Sequence, residues 1–166
     1  MPTDFAVSGH NEEALFNLKL YRGEGMVLIA MNWKTGTPPD DFVGFSIQYR
    51  EPGATTFLSV NNRLAFPGAG GELNPATLSS KLSPIQKFRW VHFPFNADKP
   101  GAFTYSVIPV FMDANDKLRY GSPQTAAIEL CSETMPGQLN VTFTRGFVSS
   151  QKFVDTYNKD FTTSEC

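Results

Sequence analysis

The sequence predicts an all-β protein, a two-sheet antiparallel sandwich followed by a short C-terminal helix. Several short segments alternate apolar with polar residues, Gly and Pro turn residues separate them, and helical spacing is almost absent before residue 150. Antiparallel strands with one apolar face bury that face against a second sheet about 10 Å away. These three observations favour a sandwich over a parallel, helix-covered sheet.

Length and composition indicate one folded domain with a tail. The chain has 166 residues, of which 41% are hydrophobic and 18% are charged, and 15 of them are Phe. A disordered chain would show the opposite balance. We divide the chain into an extended lead (1–13), the sandwich (14–145) and a tail with an amphipathic helix (146–166).

Charge and cysteine usage limit the partners and the compartment. The net charge is -2 and the 14 basic residues are scattered, whereas a nucleic-acid-binding surface needs a basic patch. Residues 1–13 contain no apolar run of signal-peptide or membrane-spanning length. Cys131 and Cys166 make a weak case for a disulfide. We expect a cytoplasmic protein that binds no nucleic acid and has no membrane span.

The first two predicted strands differ in how many of their faces are expected to be buried. Phe16, Leu18 and Leu20 alternate with polar residues, which is typical of a strand with one buried face. Residues 26–31 are continuously apolar and predict a strand in the middle of a sheet. Trp33, at the end of that segment, is predicted to be a core residue.

The clearest alternation, in residues 44–50, is followed by the longest predicted loop. A short strand is expected in residues 57–60. Residues 63–83 are rich in Gly and Pro and predict a long loop with at most a short strand. Loops of this length are uncommon and often interact with another molecule.

Residues 87–92 again alternate apolar with polar side chains. They contain His92, for which a structural and a catalytic role are both considered. Phe88 and Trp90 are predicted to share one face of this strand. His92 is predicted to be a half-buried, hydrogen-bonded residue rather than a catalytic one, because no carboxylate or nucleophile lies near it in sequence. Phe93 and Phe95, just after the strand, are expected to belong to the core, and an exposed apolar patch is the alternative.

Residues 100–111 predict a turn followed by the central strand of the sandwich. Tyr105 comes soon after the turn, where immunoglobulin-like sandwiches place a tyrosine whose ring is buried and whose hydroxyl binds nearby backbone. Pro109 cannot donate to a strand ladder, so we expect a bulge there that turns Val110 rather than Phe111 inward.

Two elements are predicted after a strand at 126–131. Leu139, Val141 and Phe143 alternate with polar residues and predict one further strand. The tail has apolar residues at helical spacing, which predicts a helix whose apolar face docks on its own sandwich, on a following domain or on a second copy of the chain. The residues of this possible interaction surface are Phe153, Val154, Tyr157 and Phe161.

Catalytic and metal-binding motifs are not found in the sequence. No Gly-x-Ser-x-Gly occurs, and the glycine cluster at 68–71 lacks the Lys-Ser/Thr of a phosphate loop. The two His and two Cys do not have zinc-ligand spacing, and residues 113–118 fit a hairpin turn better than a calcium loop. We therefore predict no catalytic residue, no cofactor and no bound metal.

Several segments resemble a fibronectin type III domain, a class of immunoglobulin-like sandwich. They are Trp33 at the end of the second strand, residues 44–50 as the third, and the Pro-Gly turn at 100–101 with Tyr105 leading the sixth. This resemblance implies the same kind of two-sheet sandwich.

A longer resemblance covers roughly residues 14–157. Residues 85–94 (IQKFRWVHFP), 100–105 (PGAFTY) and 143–151 (FTRGFVSSQ) resemble the N-terminal sandwich of bacterial phospholipase D-like proteins. In that family the sandwich precedes catalytic domains that carry His-x-Lys motifs. Neither His10 nor His92 is followed by such a lysine, so the resemblance implies no catalytic residue in this chain.

These patterns predict a non-enzymatic accessory domain. The resemblance implies docking to a phospholipase D-like catalytic domain, and a second copy of the chain is the other protein partner considered. The alternative is a free-standing module that binds carbohydrate or protein with loops at one end of the sandwich, including residues 63–83. An enzyme of unfamiliar type would need a pocket with convergent polar groups.

Overall fold

A computed structural model describes residues 4–64, 78–131, 133–135 and 137–141 of the protein. In these ranges the chain forms two antiparallel sheets and no helix, which confirms the predicted all-β sandwich. None of the described residues forms a helix long and apolar enough to cross a membrane. The strands are β1 (Ala6–Ser8), β2 (Phe16–Gly23), β3 (Met26–Trp33), β4 (Phe42–Arg50), β5 (Leu58–Ser59), β6 (Arg89–His92), β7 (Ala102–Met112), β8 (Leu118–Tyr120) and β9 (Gln124–Glu129).

The first sheet has the order β1-β2-β3-β6. A tight hairpin joins β2 to β3, with Gly23 opposite Met26 and Gly25 in the left-handed region at a φ of 58°. The continuously apolar strand β3 lies between β2 and β6, as its composition predicted. β1 lies within the segment predicted as an extended lead and pairs with the edge of β2.

The second sheet has the order β5-β4-β7, and both β8 and β9 pair with the far edge of β7. Alternate residues of the paired strands β4 and β7 face the first sheet, as with Tyr49 opposite Tyr105. The core between the sheets is apolar and aromatic, and the rings of Phe16 and Phe45 meet across it at 5.0 Å. Its fully buried members include Phe16, Leu18, Leu20, Val27, Ile29, Phe45, Ile47, Ile85, Phe103, Tyr105, Val107 and Ile128.

β7 accommodates Pro109, which has no N–H, because the residue opposite it in β4 does not bond to β7. Phe45 is opposite Pro109, but the N–H and C=O of Phe45 both bond to Ile85, at 2.9 and 2.8 Å, on the other edge of β4. The register shift lies in β4, between Phe42 and Gly44, and not in β7. The predicted bulge at Pro109 was therefore wrong: Phe111 remains opposite Phe42, with their rings 5.8 Å apart, and Val110 and Phe111 are both buried.

Arg22 lies on the inward-facing side of β2, and its side chain bonds to backbone at the end of β9 and beyond it. Its side chain is only 4% exposed. Nε donates to the carbonyl of Thr134 at 2.9 Å, and a terminal nitrogen donates to the carbonyl of Glu129 at 3.3 Å. A buried guanidinium needs such acceptors because desolvation is costly. The segment after β9 is thereby held against the first sheet.

Two C-terminal predictions have different outcomes. Leu139 and Val141 lie outside the strands of the described ranges, so the predicted strand was wrong for these two residues; the backbones of Met135 and Leu139 bond to each other, and Gly137 has a φ of 72°. Phe143 and the proposed helical surface (Phe153, Val154, Tyr157 and Phe161) lie outside the described residues.

We predict that Arg22→Met lowers the free energy of unfolding by about 2 kcal/mol, because the buried carbonyl of Thr134 and the partly buried carbonyl of Glu129 lose their donor. Urea denaturation would measure this loss. Arg119→Met is the matched control, since the Arg119 side chain is 64% exposed and its ion pair with Asp41 is at the surface. Equal losses in the two variants would contradict the role assigned to Arg22.

Candidate functional site

A groove with a volume of about 440 Å³ opens beside the described ends of the segment predicted as the 63–83 loop. This volume lies within the range of small-molecule and side-chain binding pockets, roughly 300–1,000 Å³. One wall is formed by residues 62–64 and the other by the segment that enters β6. The lining residues are Asn62, Arg63, Leu64, Ser83, Pro84, Ile85, Gln86, Lys87 and Trp90.

The two described ends of the 63–83 loop are joined by backbone pairing. Asn61 forms a bridge with Ser79, and the N–H of Asn62 donates to the carbonyl of Leu78 at 2.7 Å. The N–H of Ser80 donates to the carbonyl of Val60 at 2.9 Å. The groove therefore lies beside the paired residues 60–62 and 78–80.

Ser80 fixes these paired residues to the second sheet. The side chain is fully buried, its hydroxyl donates to the carbonyl of Ile47 at 2.9 Å, and it accepts from the N–H of Ile47 at 3.0 Å. One hydroxyl thus satisfies both backbone groups of a core strand residue. Its role is structural.

Asn62 joins the two walls of the groove. Its Nδ2 donates to the carbonyls of Ser83 and Pro84, at 3.0 and 2.9 Å, and its Oδ1 accepts from the N–H of Arg63 at 2.7 Å. All of the main hydrogen-bonding capacity of this amide is used within the protein. We conclude that Asn62 holds the shape of the groove rather than contacting a ligand.

The remaining lining combines apolar surface with two cations. Ile85 is buried and bonded to β4, and Trp90 packs partly on the core opposite Ile29. Leu64 is 71% exposed on the facing wall. Arg63 and Lys87 are exposed, one on each wall. None of the described lining residues is a carboxylate.

His92 lies on the same face of β6 as Trp90 and belongs to a buried aromatic cluster. Its Nδ1 is 3.0 Å from the hydroxyl of Tyr105, and its ring centroid is 4.4 Å from that of Tyr49. The ring of Tyr105 is buried as predicted, but the hydroxyl bonds to this histidine and not to nearby backbone, so that part of the prediction was wrong.

Burial controls the protonation of this cluster. Desolvation lowers the pKa of His92 from its ordinary 6.5 to about 4. Desolvation raises the pKa of Tyr105, and the neighbouring Tyr49 raises it further. The pKa of Tyr49 is raised mainly by burial, with a smaller contribution from Glu51. At neutral pH the cluster is uncharged, as predicted for a satisfied, half-buried histidine.

Other residues singled out in the sequence do not meet at the groove. Phe95 is 85% exposed, so its predicted place in the core was wrong. Asp113 closes the β7–β8 turn, since its Oδ1 accepts from the N–H groups of Asn115 and Lys117. Trp33 packs on Phe42 at a centroid distance of 5.0 Å and is partly buried against the core.

The described part of the chain is a two-sheet antiparallel β-sandwich with a groove lined by apolar and polar residues. No protein-family model matches the chain, and neither a curated protein nor a solved structure matches it. The likeness of residues 85–94, 100–105 and 143–151 to phospholipase D-like proteins therefore stays a prediction.

We predict that acid destabilises the protein through His92. The unfolded chain binds a proton below pH 6.5 and the folded chain only near pH 4, so stability is complete above pH 6.5 and falls as the pH is lowered through this window. The full loss from this residue is about 3 kcal/mol. Denaturation midpoints measured between pH 7 and pH 4 would give the slope.

The control for this prediction is the other histidine. His92→Phe should flatten the slope between pH 6.5 and pH 4, whereas His10→Gln should retain it, because His10 is exposed before β2. A slope that is the same in His92→Phe as in the unmodified chain would contradict the assignment.

Proposed function

We propose that the protein is a non-catalytic interaction domain, fibronectin type III-like in kind, that binds a partner protein or a carbohydrate at the groove beside the 63–83 loop. The observation that carries this proposal is the groove itself. Its apolar lining opens to solvent between two walls that Asn62 ties together. The cytoplasmic location expected from the sequence is part of the same proposal.

Rigidity of the walls favours binding. Ser80 and Ile85 both bond to the backbone of β4, and Asn62 links the opposite wall to residues 83 and 84. A site held in shape before its ligand arrives loses little conformational entropy on binding. The exposed Leu64 offers apolar contact area on the wall that Asn62 joins to residues 83 and 84.

The chemistry of the lining supports a binding role without catalysis. The nine lining residues that the structure describes include neither a histidine nor a carboxylate that could act as a general acid or base. Among the described residues, the hydrogen-bonding partner of His92 is a tyrosine rather than a nucleophile or an orienting carboxylate.

The phospholipase D-like resemblance suggests which protein the partner could be. Residues 85–94, one of the segments that carry this resemblance, supply one wall of the groove and all of β6. A catalytic domain of that family is therefore a candidate partner, and a second copy of the chain is the other.

We predict that Leu64→Glu weakens binding about tenfold or more, because it places a charge on the apolar wall. Binding would be screened on glycan and peptide arrays, and self-association by sedimentation. Leu58→Glu is the matched control, since Leu58 is 50% exposed on β5 and does not line the groove. Equal loss in both variants, or no loss in Leu64→Glu, would refute the groove as the binding site.

We also predict that the isolated chain does not hydrolyse bis(p-nitrophenyl) phosphate above the buffer rate. The physical reason is that His92 is neutral, buried and bonded to Tyr105. Absorbance of released nitrophenolate would measure turnover. Turnover that is abolished in His92→Ala would overturn the non-catalytic assignment.

A further inference from the structure

Among the described residues, the charged side chains that line the groove are cations. Arg63 lies on one wall and Lys87 on the other, and none of the described lining residues is a carboxylate. The ion pairs in the described part of the chain are Lys99 with Glu51 and Arg119 with Asp41, so neither groove cation is paired there. The protein carries a net charge of -2, so this local excess of positive charge is contrary to the overall balance.

The polar groups that remain for a ligand are mainly donors. The amide of Asn62 is fully engaged with the protein, and the carbonyls of residues 83 and 84 already accept from it. Arg63 and Lys87 can only donate, and Gln86 is the exposed amide of the lining. A neutral sugar needs acceptors as well as donors, whereas an anion needs donors alone.

Between the cations the surface is apolar. Pro84, Ile85 and Trp90 form one side of it, and the exposed Leu64 faces them. A volume of about 440 Å³ holds a large aliphatic or aromatic side chain together with neighbouring backbone. The occupant that fits therefore carries an apolar group flanked by negative charges.

We propose that the groove binds an extended acidic segment of a partner protein, with an apolar side chain seated against Trp90 and carboxylates paired with Arg63 and Lys87. This inference rests on the proposed function and names its ligand class. An apolar anchor in a pocket supplies affinity, and flanking charge pairs supply orientation and a faster association rate.

The test uses the full chain and two fluorescein-labelled peptide pools. Each pool has one central position drawn from Leu, Ile, Phe and Trp within a Gly and Ser background. Two glutamates flank this position on each side in one pool, and glutamines replace them in the other. Fluorescence polarisation should give micromolar binding for the glutamate pool, about tenfold weaker binding for the glutamine pool, and weaker binding as salt is raised.

Charge-removing variants locate the contact. Arg63→Gln and Lys87→Gln should each weaken binding of the glutamate pool by about fivefold to tenfold. Arg89→Gln is the matched control, because Arg89 is an exposed cation on β6 that does not line the groove. It should bind as the unmodified chain does. Unchanged melting temperatures would show that the variants fold.

Other outcomes separate this inference from the proposed function. An acidic sugar polymer, oligogalacturonate, is tested as a third probe. If oligogalacturonate or the glutamine pool binds, if Leu64→Glu weakens that binding, and if the glutamate pool does not bind, the acidic peptide is refuted while the groove remains the binding site. If Arg89→Gln weakens the glutamate pool as much as Lys87→Gln does, the attraction is general and the inference is overturned. If no probe binds in a manner sensitive to Leu64→Glu, both proposals fail.

Discussion

Backbone pairing on both edges of β4 is the constraint on which the rest of the structure depends. One edge pairs with β7 over eight residue pairs, and the other bonds to Ile85, Val60 and the hydroxyl of Ser80. A strand satisfied on both sides has no free ladder to offer, so the segments beside it are fixed in register. This also explains why β7 tolerates Pro109, because Phe45 directs its polar groups to the opposite edge.

The segment from Ile85 to His92 links the backbone pairing of β4 to the groove and the core. It begins bonded to β4 in the second sheet and ends as β6 in the first, where Trp90 is opposite Ile29 and His92 is opposite Val27. One crossing segment therefore supplies a groove wall and the buried His92–Tyr105 contact. The shape of the groove and the packing of the aromatic cluster therefore depend on the same segment of chain.

Buried polar side chains hold this sandwich together by bonding to backbone. Gln124 accepts from the N–H of Asn11 and donates to the carbonyls of Asn11 and Phe16, while Arg22 donates to carbonyls beyond β9. Among the described residues, Ser46 Oγ is the buried side-chain atom without a partner. Burying these polar groups costs desolvation free energy, and their hydrogen bonds form only in a narrow range of geometries. They therefore favour one arrangement of the sheets.

The sequence by itself determined the fold class, the main strands and the faces they bury, because period-two alternation and turn residues are local properties of the chain. It placed Phe88 and Trp90 on one face and Tyr105 inside. Only the tertiary structure decided which strands are neighbours, that the hydroxyl of Tyr105 meets His92, and that Phe95 stays exposed. It also decided that Asn62 and Ser80 shape a groove, since those bonds join residues 22 and 33 positions apart. Alternation reports the face on which a residue lies, whereas its partner depends on contacts between distant parts of the chain.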